Sequence, residues 1–95
     1  MTKEYILDFL TAHKQELQTN FAITKMGFFG SYAKDSADEN SDIDIVIESQ
    51  KKDFFLRDDL KEYLETHFKL PVDIGYIDSI RKFYKDKIEK DIIYA

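Results

Sequence analysis

Cysteine and tryptophan are absent from this sequence of 95 residues, which also has only one proline and three glycines. Without cysteine the chain cannot form a disulfide framework, a thiolate zinc site or a cysteine nucleophile. No apolar run approaches the length of about 20 residues that a membrane-spanning helix needs, and no signal-peptide pattern follows Met1. We therefore expect a single domain, residues 1–95, located in the reducing cytoplasm.

Basic residues are outnumbered by acidic ones, and the net charge is −5. Proteins that bind nucleic acid neutralise phosphates with Lys and Arg, so this composition predicts no direct nucleic-acid binding. Hydrophobic residues make up 43% of the chain and aromatic residues 15%, enough for a folded core. An acidic protein of this kind can still bind a nucleotide if metal ions lie between its carboxylates and the phosphates.

The spacing of apolar residues predicts an α/β (α+β) fold, in which a small mixed sheet of three to four strands packs with helices. Strands are predicted at 23–29, 42–47 and 72–76, with a short edge strand at 92–94. Helices are predicted at about 3–19, at 54–68 and from Asp78 or Ser79 to about Glu89, with a short helical stretch after Gly30.

Three aspartates lie in predicted strands, where aspartate is uncommon. Asp42 and Asp44 alternate along one strand, so their carboxylates share a face. Asp73 interrupts the third strand and would join them if the two strands are neighbours. A divalent cation would remove the repulsion among the carboxylates, and oxygen ligands suit Mg²⁺ better than zinc. We predict that all three are catalytic residues and ligands of Mg²⁺, with two ions expected.

Gly30 and Ser31 follow the first strand and form a candidate phosphate-binding turn. Backbone N–H groups at such a turn can bind phosphate oxygens. Glycine lets the backbone approach closely, and the Ser31 hydroxyl adds a donor. Lys34 is positioned to neutralise a phosphate, so the three residues are predicted to bind the nucleotide. Tyr32 is expected to be exposed there and to contact an acceptor protein.

Gly30 and Ser31, ten further residues and then Asp42-Ile43-Asp44 resemble the G-S-x10-D-x-D signature of the polymerase-beta-like nucleotidyltransferases. With Asp73 and the chain length, the likeness is to the stand-alone minimal nucleotidyltransferases. It implies that the Gly-Ser turn binds the triphosphate and that the acids bind Mg²⁺. Lys34 and Asp35 depart from the pattern, in which arginine and then glycine are usual.

Short members of that family resemble the antitoxin half of a toxin–antitoxin pair. The resemblance implies transfer of AMP from ATP to a tyrosine of a helical RNA-cleaving toxin of the HEPN family. Two alternatives stay open, namely a non-catalytic antitoxin that blocks the toxin sterically and a transferase that modifies a small molecule such as an aminoglycoside. A homodimer is also left open.

Overall fold

The computed structural model describes residues 1–80, 82 and 90–95. Its helices and strands follow the chain in the order α1 (Lys3–Ala12), α2 (Lys14–Phe21), β1 (Ile23–Phe29), β2 (Ile43–Ser49), α3 (Phe54–Phe68), β3 (Val72–Tyr76) and β4 (Ile93–Tyr94). The bounds predicted for β1, α3 and β3 are confirmed, whereas β2 begins and ends slightly later than predicted. Within the described residues, no helix is both long and apolar enough to span a membrane.

The four strands form one mixed sheet in the order β3-β2-β1-β4, which confirms the predicted fold class. β1 runs antiparallel to β2 and to β4, and β2 runs parallel to β3. A parallel pair needs a crossover connection, and α3 provides it. β3 therefore lies beside β2, as the proposed convergence of the aspartates requires.

Apolar side chains cover the two faces of the sheet unequally. On the main face, the isoleucines of β2 pack with residues of α1, α2 and α3, and these isoleucines are almost fully buried: Ile43, Ile45 and Ile47. On the other face, Val46 packs with Ile77 and Ile80 in a smaller cluster. Among the described residues, the first face carries the larger apolar cluster.

The helix predicted at 3–19 is divided at His13, and this part of the prediction was wrong in detail. The His13 ring stacks on that of Phe9 at a centroid distance of 4.1 Å, and its Nδ1 lies 2.9 Å from the Phe9 carbonyl oxygen. His13 itself leaves helical geometry, with φ −103° and ψ 10°. A side chain that engages the carbonyl four residues earlier competes with the helical backbone.

Two other predicted helices have different outcomes. The stretch after Gly30 is a turn over residues 30–35 and not a helix. Asp35 closes this turn with a φ of 58°, in the left-handed region. Residues 77–80 are helical, but the remainder of the helix predicted up to Glu89 lies almost entirely outside the described residues.

Candidate active site

Asp44 and Asp73 are direct partners in the parallel pairing of β2 with β3. Asp44 alternates with the buried Ile43 and Ile45, so its side chain lies on the face away from the three helices. Asp42 stands two residues earlier and is exposed, as is Asp73. The structure therefore brings the predicted acids together at the start of two neighbouring strands.

The Asp44 carboxylate is affected by its burial and by its two acidic neighbours. Partial burial raises the pKa of Asp44, and the negative charges of Asp73 and then Asp42 raise it further. Both causes disfavour the ionised form of this carboxylate. A cation bound among these groups would relieve the repulsion, so the site favours a positively charged ligand.

Gly30 lies directly against Asp44 at the end of β1. Its φ is 76°, a conformation that favours glycine. A β-carbon at this position would overlap the Oδ2 atom of Asp44 and lie 3.2 Å from its Cγ atom. The preceding residue, Phe29, is paired with Asp44 in the sheet. The candidate phosphate-binding turn and the candidate metal ligands thus meet in one place.

The turn after Gly30 leaves several backbone donors free. Its hydrogen bonds run from the Lys34 N–H to the Gly30 carbonyl, from the Asp35 N–H to the Tyr32 carbonyl and from the Ser36 N–H to the Ser31 carbonyl. Among the described residues, no acceptor takes the N–H groups of 31, 32 and 33. Free consecutive N–H groups can bind an anion, so the turn retains the feature expected of a phosphate cradle without being a helix.

Lys34 and Tyr32 differ from their predicted surroundings. The Lys34 ammonium is half-exposed and lies 3.2 Å from the Asp91 carboxylate near β4, a partner that the sequence did not indicate. Tyr32 is only 5% exposed and belongs to the main core. The expectation that Tyr32 contacts an acceptor protein was therefore wrong, because its ring fills space beneath the turn.

Asp35 occupies the position where the family pattern usually has glycine, and its left-handed backbone explains that preference. Aspartate tolerates this conformation better than most residues. Its carboxylate also lies 2.9 Å from the Lys3 ammonium of α1. An exposed ion pair of this kind contributes little to stability, so the position is tolerated mainly because aspartate can adopt this backbone conformation.

The donor set fits a hard divalent cation, although the side chains do not yet form a coordination shell. Within residues 1–80, 82 and 90–95, no three His, Cys, Asp or Glu side chains form a ready-made metal site. The carboxylate of Asp44 lies against Gly30, and those of Asp42 and Asp73 extend into solvent. The set contains only oxygen donors, which Mg²⁺ prefers while keeping several of its waters. The ligand role of these residues stays a prediction.

Residues 10–95 match the nucleotidyltransferase domain family, and the chain belongs to that family. It is similar over its whole length to the protein adenylyltransferase MntA of Thermococcus cleftensis, with 35% identity over 96 residues and 97% of that protein covered. A protein of Methanocaldococcus jannaschii that is assigned as a protein adenylyltransferase is 36% identical over 95 residues, with 98% of this chain and 97% of that one covered. The chain is therefore a nucleotidyltransferase.

Two solved structures share the fold. A protein assigned as a minimal nucleotidyltransferase superposes with a TM-score of 0.79 at 22% identity, covering 98% of this chain and 95% of the other. A chain of a toxin–antitoxin crystal structure with AMP-PNP gives a TM-score of 0.61 at 27% identity. That match covers 73% of this chain and 57% of the other. The first confirms the minimal nucleotidyltransferase fold, and the second shows the same fold in a chain of that other complex.

Proposed function

We propose that this chain is an Mg²⁺-dependent protein adenylyltransferase that moves AMP from ATP to a tyrosine hydroxyl of a helical toxin of the HEPN type. The observation that carries the proposal is the register between β2 and β3, which sets Asp44 opposite Asp73 next to the Gly30 turn. In this arrangement, a triphosphate bound at the Gly30 turn would lie next to the carboxylates that are proposed to bind the metal ion.

The reaction assigns a separate task to each part of the site. The N–H groups after Gly30 would hold the terminal phosphates, and the acids would hold Mg²⁺, whose charge would offset the negative charge that develops on the phosphates during transfer. The acceptor oxygen attacks the α-phosphorus, the bond from this phosphorus to the bridging oxygen breaks, and pyrophosphate leaves. Asp73, which is exposed on the edge strand β3, takes the proton from the acceptor hydroxyl. Positioning of the two reactants supplies much of the remaining acceleration.

Three observations support a protein as the acceptor. The relatives that match the chain over nearly its full length are named for protein adenylylation, and a structural neighbour comes from a toxin–antitoxin complex with a nucleotide analogue. In addition, Asp42 and Asp73 are exposed at one end of the neighbouring strands β2 and β3. Such an open site reacts poorly with dilute small alcohols but well with a hydroxyl that a docked protein delivers.

Thermal unfolding should depend on ATP and Mg²⁺ jointly. ATP alone should raise the melting temperature little, because its negative charge meets three carboxylates. ATP with Mg²⁺ should raise it clearly, since a ligand that binds only the native state stabilises that state by mass action. The measurement is a melting curve with ATP, with Mg²⁺ and with both. Equal shifts for ATP with and without the metal would contradict a site in which the acids hold the ion.

The acceptor is tested with ATP labelled on its α-phosphate, Mg²⁺ and the protein encoded beside this chain's gene. We expect label on a tyrosine of that protein, identified by mass spectrometry, and none on aminoglycosides. If this chain instead binds the partner tightly and blocks the partner's RNA cleavage without labelling it, the chain is a steric antitoxin. Efficient labelling of an aminoglycoside would instead support the small-molecule alternative.

A further inference from the structure

A polar cleft of about 190 Å³ adjoins Asp73 at the edge of the sheet. One wall consists of Arg57, Asp58 and Lys61 on α3, and the other consists of Asp73 and Ile74 on β3. β3 is an edge strand, so this cleft is open to an incoming chain. It lies beside the acid to which the proposed reaction assigns the acceptor hydroxyl.

The charges of the cleft favour an anionic group. Arg57 and Lys61 are four residues apart and therefore share one face of α3. The ion pairs among the described residues involve Lys3, Lys34 and Lys52, and neither cleft cation takes part in one. Once Asp73 is engaged by Mg²⁺, two cations face a single carboxylate, that of Asp58. The cleft is then locally positive in a chain whose net charge is −5.

Among the described residues, the two most exposed large apolar side chains stand on the same helix that lines the cleft. Phe54 is 62% exposed and Phe55 is 83% exposed, at the first two positions of α3. The guanidinium carbon of Arg57 lies 4.8 Å from the centroid of the Phe54 ring, which links the aromatic pair to the cleft. The Asp53 carboxylate accepts hydrogen bonds from backbone N–H groups of the first turn and so caps the helix. The two phenylalanine side chains are therefore not needed to stabilise the start of α3. Exposed aromatic residues next to an arginine are typical of protein–protein contacts.

We propose that Phe54, Phe55, Arg57 and Lys61 form the docking surface for the acceptor protein, and that the acceptor presents an acidic and apolar surface to it. This inference rests on the proposed function for its choice of partner. The acidic group of the acceptor binds in the cleft, its apolar side chains pack on the two phenylalanines, and its hydroxyl reaches Asp73. A second copy of this chain fits less well, because a two-fold interface through this surface would bring like cations together.

Peptides test the charge requirement. The probes are acetylated 13-residue peptides with one central tyrosine and two leucines, flanked by Glu, Gln or Lys. Fluorescence anisotropy measures binding with Mg²⁺ and a non-hydrolysable ATP analogue. The wild type should bind the Glu peptide about tenfold more tightly than the Lys peptide. The double variant Arg57→Gln/Lys61→Gln should lose this preference.

The matched control is Lys14→Gln/Lys69→Gln, which removes the same charge from two exposed lysines outside the cleft. It should keep the preference for the Glu peptide. Equal binding of the three peptides by the wild type, or equal losses in the two double variants, would overturn the docking surface. Because binding is measured apart from transfer, selective binding without any labelled tyrosine would refute the proposed transferase activity and support the surface.

Phe55→Ala tests the apolar part, and Phe55→Leu serves as its conservative counterpart. The alanine variant should bind the Glu peptide several-fold more weakly, and the leucine variant should restore most of the affinity. Sedimentation velocity of the same proteins identifies a competing use of this surface. A wild-type dimer that becomes a monomer in Phe55→Ala, with unchanged peptide binding, would show that a second copy covers the surface and would sink the proposal.

Discussion

Asp44→Asn is expected to abolish nucleotidyl transfer while leaving the metal-free protein at least as stable as the wild type. The amide keeps the size of the side chain but removes the charge that would hold Mg²⁺. Residues that only support a metal ligand typically cost about 10–100-fold when they are changed. Loss of a ligand itself should exceed that range, and the readout is the rate of label transfer from ATP.

The stability half of this prediction follows from the raised pKa of Asp44. A carboxyl group that holds its proton more firmly in the folded state than in the unfolded state stabilises the fold at low pH. That contribution is lost as the pH rises through the two pKa values. At neutral pH the ionised Asp44 carboxylate therefore destabilises the folded state, and replacement by asparagine removes this destabilisation. In denaturant titrations, the variant should lose less stability than the wild type between about pH 4 and neutrality.

Ile45→Ala is the control for Asp44→Asn on the opposite face of the same strand. Ile45 is fully buried in the main core, and its truncation should cost about 2–5 kcal/mol of unfolding free energy. Its residual folded fraction should still bind ATP with Mg²⁺. If Asp44→Asn unfolds the protein and Ile45→Ala does not, the aspartate is a structural residue and its assignment as a ligand is wrong.

Gly30→Ala should also eliminate transfer, through geometry and not through charge. The new methyl group would occupy the place of the Asp44 carboxylate, which must rotate away or force the turn to shift. The left-handed backbone adds a cost of about 1–2 kcal/mol for a residue with a β-carbon. The protein should therefore still fold, as circular dichroism and a melting curve would show, but with the phosphate-binding turn and the carboxylate no longer in register.

Gly75→Ala is the matched control for this change. The site is two residues beyond Asp73 on the same strand, and its new methyl group would lie 3.2 Å from the Cδ1 atom of Ile80, the mobile end of a side chain. Overpacking of this kind costs about 1–3 kcal/mol, comparable with the cost at Gly30. Transfer should survive in Gly75→Ala. Wild-type rates in Gly30→Ala would mean that close contact between the turn and Asp44 is not required.

A small catalytic core places particular demands on its surroundings. The acids, the turn and the edge cleft all lie on the surface of a chain whose Cα radius of gyration is 12.4 Å. Asp42 and Asp73 are exposed and Asp44 is half-buried, so we expect a docked acceptor to help exclude water from the reacting atoms. Specificity in such an enzyme depends on docking residues outside the catalytic set, and the surface around Arg57 and Phe54 is where we expect it.

Local patterns in the sequence determined much of this protein. The bounds of α3 follow from its apolar face and its Asp53 cap, and the strands from their alternation. The spacing from Gly30 to Asp44 is by itself enough to indicate the family. These features depend on neighbouring residues, whose effects on the backbone can be inferred without knowledge of the rest of the chain.

Only the tertiary structure decided which distant residues meet. Sequence alone left the neighbour of β3 open, whereas the register with β2 sets Asp73 opposite Asp44. The sequence also could not indicate that Tyr32 is buried or that Lys34 pairs with Asp91, since both contacts depend on packing between segments far apart in the chain. Nothing in the sequence indicated that Arg57 and Lys61 of α3 lie beside Asp73 of β3. That placement depends on how α3 lies across the sheet, and no local pattern encodes it.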